Sequence, residues 1–126
     1  MAAPRLSLTL LGLVAACASA GTAPAVAIRN QLAACVSIAD QELPLDGKIP
    51  VVSMDLRVDR PIGECGCKSA WAIFSVASIA DGHRSPMMDG RLPLLRSGTR
   101  SLPLAVEPSQ VEGKHLEVTL ACAPPD

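Results

Sequence analysis

Four cysteines, Cys35, Cys65, Cys67 and Cys122, follow an N-terminal segment that reads as an export signal. Thiols carried into an oxidising compartment end as bridges, and this constrains the fold more than any other feature of the chain. Arg5 supplies a small positive region, and Leu6 to Ala16 form an apolar run of about eleven residues, a signal-peptide length too short to span a bilayer. Ala18-Ser19-Ala20 then offers small residues to a signal peptidase. Residues 1–20 are therefore expected to be a signal peptide, and 21–126 one exported domain, periplasmic or secreted. The alternative is a lipobox at Leu13-Val14-Ala15-Ala16-Cys17, which would leave Cys17 lipidated and the domain anchored in a bacterial membrane. Val14 matches that motif less well than Leu would. Cleavage removes Cys17 and lipidation blocks it, so both routes leave the same four thiols.

Four cysteines allow three pairings. One joins Cys65 to Cys67 across a single glycine, a strained small ring. Two long-range bridges are expected instead, tying Cys35 and Cys122 separately to Cys65 and Cys67, with the choice of partner left open. Each would close a loop of thirty to fifty residues and stabilise the domain by about 3–4 kcal/mol.

The pattern between turn signals has a period of two. In Val51 to Asp59, Val52, Met54, Leu56 and Val58 point one way and Ser53, Asp55, Arg57 and Asp59 the other, which describes a half-buried strand. His115 to Cys122 repeats it as the last strand, with His115 and Glu117 on the solvent side. Lys68 to Ala80 is apolar or small on both alternating sets, as in a central strand covered on both faces or a buried helix, and its β-branched and aromatic content favours the strand. Ala33 to Ala39 fits a strand or a helical turn. Arg91 to Leu95 and Ser101 to Val106 each hold a proline, which cannot donate to a ladder, so both are expected at sheet edges. Asp46-Gly47, Pro61-Ile62-Gly63, Asp81-Gly82, Asp89-Gly90, Ser97-Gly98 and Glu112-Gly113 are the turn signals. About seven short strands in this length predict a small antiparallel β-sandwich of immunoglobulin-like type, with a small barrel as the other all-β solution.

Composition narrows function mainly by exclusion. Once Arg5 leaves with the leader, 10 Lys and Arg face 12 Asp and Glu, and the cations form no run. Neither a nucleic-acid footprint nor a polybasic membrane patch is visible, and one Trp, one Phe and no Tyr provide no stacking platform. No Gly-x-Ser-x-Gly elbow, His-Glu-x-x-His pair or phosphate loop is present. His83 and His115 are the only imidazoles and lack a catalytic partner in the sequence. Two segments remain as candidates for chemistry. Cys65-Gly66-Cys67 could present paired thiolates to Cu(I), and the polar loop expected from Asp81 to Gly90 carries His83, Met87 and Met88, which are borderline and soft ligands. Adjacent residues on a strand face opposite ways, so only one of the two methionines could join His83.

Val58-Asp59-Arg60-Pro61, the Cys-Gly-Cys-Lys-Ser-Ala stretch at 65–70 and the terminal Ala121-Cys122-Ala123-Pro124-Pro125-Asp126 are similar to small bacterial periplasmic families of unknown function. The resemblance covers most of the exported chain. It implies location and architecture and transfers no functional residue.

The sequence thus predicts a non-enzymatic exported β-sandwich, held by bridges at Cys35, Cys65, Cys67 and Cys122, acting as a binding or structural module. No cofactor or nucleic acid is expected. A protein partner would meet its surface, and a membrane enters only if Cys17 is lipidated. The alternative is a periplasmic copper(I)-binding protein using Cys65, Cys67, His83 and a methionine from Met87 and Met88.

Overall fold

The alternation that predicts a strand at Val51 is realised as Val51–Val58, with Val52, Met54 and Leu56 fully buried. It is one of seven strands in the computed structural model, which describes residues 24–43 and 49–125, with residues 3, 4 and 12 isolated before them. The expected leader, its cleavage site, Cys17 and the Asp46-Gly47 turn otherwise lie outside the described residues. In chain order the strands are β1 (Ala25–Asn30), β2 (Val36–Glu42), β3 (Val51–Val58), β4 (Trp71–Ala80), β5 (His83–Pro93), β6 (Gly98–Pro103) and β7 (His115–Cys122).

The strands form two sheets, in the orders β1-β7-β4-β5 and β2-β3-β6. Their inner faces share one core, to which Phe74, Val118 and Leu120 contribute from the first sheet and Met54, Leu56 and Leu102 from the second. This is the expected all-β sandwich. It departs from the expectation in two ways. Four pairings are antiparallel, but β1 runs parallel to β7, with Ala25 opposite His115. An immunoglobulin constant domain groups its first, second, fourth and fifth strands. Here the first, fourth, fifth and seventh share a sheet, so the likeness is limited to the two-sheet architecture.

The β4 segment is central, flanked by β7 and β5, but covered on one face only. Ala72, Phe74 and Val76 are buried, whereas on the outer side, which no other strand among the described residues covers, Trp71 is 46% exposed, Ile73 is half-buried and Ala77 is buried. The largest correction concerns 81–90. Asp81 and Gly82 both take positive φ, the two-residue hairpin turn that matches strand twist, and the chain then pairs with β4 from His83 to Pro93. A loop was expected there because the residues are polar, but an edge strand with an open outer face tolerates them. Pro93 and Pro103 do lie on edge strands, β5 and β6.

Before β2, Leu32 accepts hydrogen bonds from the backbone N–H groups of Cys35 and Val36, so this segment is a helical turn followed by a strand. Asn30 braces the turn: its Oδ1 accepts from Leu32 N–H at 2.9 Å and its Nδ2 donates to the Val36 carbonyl at 2.7 Å. Asn30→Ala removes both contacts and is expected to lower unfolding free energy by about 1–2 kcal/mol, read as a lower urea midpoint at unchanged slope.

Candidate functional site

All four bridge cysteines gather at one end of the sandwich, where β1 passes to β2, β3 to β4 and β5 to β6, and where β7 finishes. The β3–β4 connection carries a single 3-10 turn, Ile62–Cys65, with Ile62 buried. Gly66 follows at φ 93°, a left-handed conformation that turns the chain between the two cysteines. Cys65 is bonded to Cys35, just before β2, and Cys67 to Cys122, the last residue of β7, with Cα separations of 6.2 and 5.2 Å. One short connection is thereby tied to both sheets. Arg60 strengthens the attachment, because its Nε and Nη2 both donate to the Ala34 carbonyl. The Cys35 carbonyl accepts from the backbone N–H groups of Asp59 and Arg60. Both long-range bridges anticipated from the sequence are present, and their partners are now assigned.

The same geometry takes apart the copper ligand set. Cys65 and Cys67 are each bonded to another sulfur, and a disulfide offers no thiolate. Cys122 lies opposite Ala72 near one end of β4 and His83 opposite Ala80 at the other. At about 3.3 Å per residue, the eight steps between them span roughly 26 Å. The methionine expectation changes too: a bulge leaves Met87 as the extra residue between Pro86 and Met88, breaking the alternation, and both methionines pack against the core. Among the described residues, no three His, Cys, Asp or Glu side chains assemble as a metal site.

His115 is exposed, as expected, opposite Ile79. It and His83 flank β4 on successive rows, so they face opposite ways. Glu117, on the outer face, accepts from Arg84 and lies 3.5 Å from Arg29. These charges hold β5, β7 and β1 together across the solvent side of the sheet, which gives Glu117 a structural task.

The concave feature of the bridge end is a cleft of about 370 Å³ between the β3–β4 and β5–β6 connections. Ile62, Leu94 and Leu95 supply apolar wall, and Asp59, Arg60 and Lys68 supply charge. Asp59 accepts from Ser37 Oγ at 3.0 Å. The cleft adjoins Cys67. The sequence reading missed it because its walls come from segments more than twenty residues apart.

A family model described as "Uncharacterized protein conserved in bacteria (DUF2195)" matches residues 10–125. The chain belongs to this family. The match accords with the resemblance noted at 58–70 and 121–126, to bacterial proteins of unknown function. No curated protein and no solved structure matches the chain. The DUF2195 match contains all seven strands, both bridges and the walls of the cleft, and it begins inside the apolar run of the expected leader. No helix among the described residues is long and apolar enough to cross a membrane.

Proposed function

We propose that this DUF2195 chain is an exported, disulfide-stabilised β-sandwich that acts in the periplasm by presenting a surface to a partner, without catalysing a reaction. The observation that carries this reading is the pairing of all four bridge cysteines into two cystines at one end of the fold. Such bridges persist where thiols are not kept reduced. The leader supports the same compartment, and the cystines support a structural use of sulfur in place of thiol or copper chemistry. The bridge end, rigidified by its cross-links, is the surface best prepared for recognition.

Export and thiol state are tested together on protein recovered from the periplasmic fraction. The expected intact mass corresponds to a chain starting at Gly21, or to a lipidated chain starting at Cys17. Alkylation should add nothing before reduction and four groups after it. Retention of residues 1–20 in a cytoplasmic product, or alkylation of Cys65 and Cys67 without reductant, would overturn the reading.

A further inference from the structure

The fold concentrates cations that the sequence spreads out. Residues 65–80 and 90–106 contain no carboxylate and carry Lys68, Arg91, Arg96 and Arg100, all at or near the bridge end. Arg100 donates from Nη2 to the Arg96 carbonyl, which brings its charge to the turn before β6. With Arg57 and Arg60, six cations stand against Asp59 and Glu64 there among the described residues. The opposite end has the reverse balance: Glu42, Asp81, Glu107 and Glu112 outnumber Arg84 and Lys114 among the described residues.

Two large apolar side chains protrude through the cationic end, Trp71 at 46% and Leu95 at 74% exposure. Trp71 lies opposite Pro93, and Leu94 N–H donates to the Ala70 carbonyl, which extends the same pairing by one residue. Leu94 is buried, and Leu95 follows it in the bend after β5, exposed at the rim of the cleft. The far end also exposes apolar groups, Ile49 at 56% and Val106 at 69%. Charge, not apolar exposure, distinguishes the two ends.

We infer that the bridge end docks on an anionic phospholipid surface, with Trp71 and Leu95 entering the interface and Lys68 and Arg96 lying over the headgroups. An indole ring sits well at a lipid–water boundary, and Lys and Arg stems lie along apolar surface while their heads remain in the polar layer. Leu95 projects from a tight connection, which suits insertion between headgroups, and the neighbouring cleft places Arg60 and Lys68 above an apolar floor at Ile62 and Leu94. The bridges hold this end in shape without the lipid. The inference rests on the exported-module reading for access to such a surface and for the bridges that shape this end.

Trp71 is the only tryptophan, so its emission reports the contact directly. Phosphatidylglycerol vesicles are expected to shift it to the blue, with the shift lost at high salt, and phosphatidylcholine vesicles to leave it unchanged. Each neutralised cation should weaken partitioning about fivefold, so Lys68→Gln with Arg96→Gln should weaken it about twenty-fivefold. Leu95→Ser should reduce the shift further. These side chains are exposed, and circular dichroism should show the variants folded. No shift with phosphatidylglycerol, an equal shift with phosphatidylcholine, or a shift indifferent to the substitutions would overturn the inference. So would tighter binding to soluble polyglutamate than to the vesicles, which would point to an acidic protein partner. Failure on vesicles leaves the export and thiol results standing, whereas free thiols would overturn the module reading before any vesicle is added.

Discussion

Replacing all four bridge cysteines by alanine, at Cys35, Cys65, Cys67 and Cys122, is expected to leave the domain largely unfolded at 25 °C. The bridges close loops of 30 and 55 residues in sequence separation, and on the loop-entropy scale each contributes about 4 kcal/mol. The two loops follow one another without overlapping, so their constraints on the unfolded chain are close to additive. Their joint loss of about 8 kcal/mol compares with the roughly 5–15 kcal/mol that a domain of this kind holds in total. Removing one pair, Cys35→Ala with Cys65→Ala or Cys67→Ala with Cys122→Ala, should leave a folded protein with a lower urea midpoint. Far-ultraviolet circular dichroism across a urea series checks both expectations. If the four-fold variant keeps an unfolding free energy within about 2 kcal/mol of the parent, the bridges do not have the weight given to them.

The second large effect is at the centre of the first sheet. Phe74 is the only phenylalanine, 5% exposed, and lies opposite Gly90 across the β4–β5 pairing. A Cβ at Gly90 would fall 2.5 Å from Phe74 Cε1 and 2.7 Å from Cζ, so the ring occupies the space that a side chain would need. Phe74→Ala should therefore cost about 3–5 kcal/mol through lost burial and the cavity left behind. Gly90→Ala should cost about 1–3 kcal/mol for the opposite reason, overpacking. The two sites share one volume and should not behave additively: in a Phe74→Leu background, the cost of Gly90→Ala should shrink. Equal costs of Gly90→Ala in both backgrounds would refute this reading of the contact.

Much of the fold was legible because β3 and β7 carry their burial in a strict two-residue period, which needs no knowledge of distant partners. The sulfur framework was legible for a similar reason, since compartment and spacing limit the pairings. Connectivity was not, because Cys65 and Cys67 are separated only by Gly66, and their different partners depend on which sheet each side of the turn meets. β1 is not legible in the sequence because its place depends on a parallel pairing with β7, ninety residues away. The start of β5 is hidden because His83, Arg84 and Ser85 look like loop residues, and only their edge position allows them in a strand. The copper set failed on distance along β4, which residue types alone do not reveal. The cationic end was hidden by the dispersal of Arg57, Arg60, Lys68, Arg91, Arg96 and Arg100 over forty residues, with no two adjacent.

The central claim is that sulfur serves here as a structural cross-link holding one short connection to both sheets. Mass-spectrometric mapping of a non-reduced digest tests it most directly, with fragmentation on either side of Gly66 to separate the neighbouring cysteines. Cys65 should carry the Cys35 peptide and Cys67 the Cys122 peptide, with no free thiol. Crossed partners, a Cys65–Cys67 ring or unpaired thiols at these positions would contradict it.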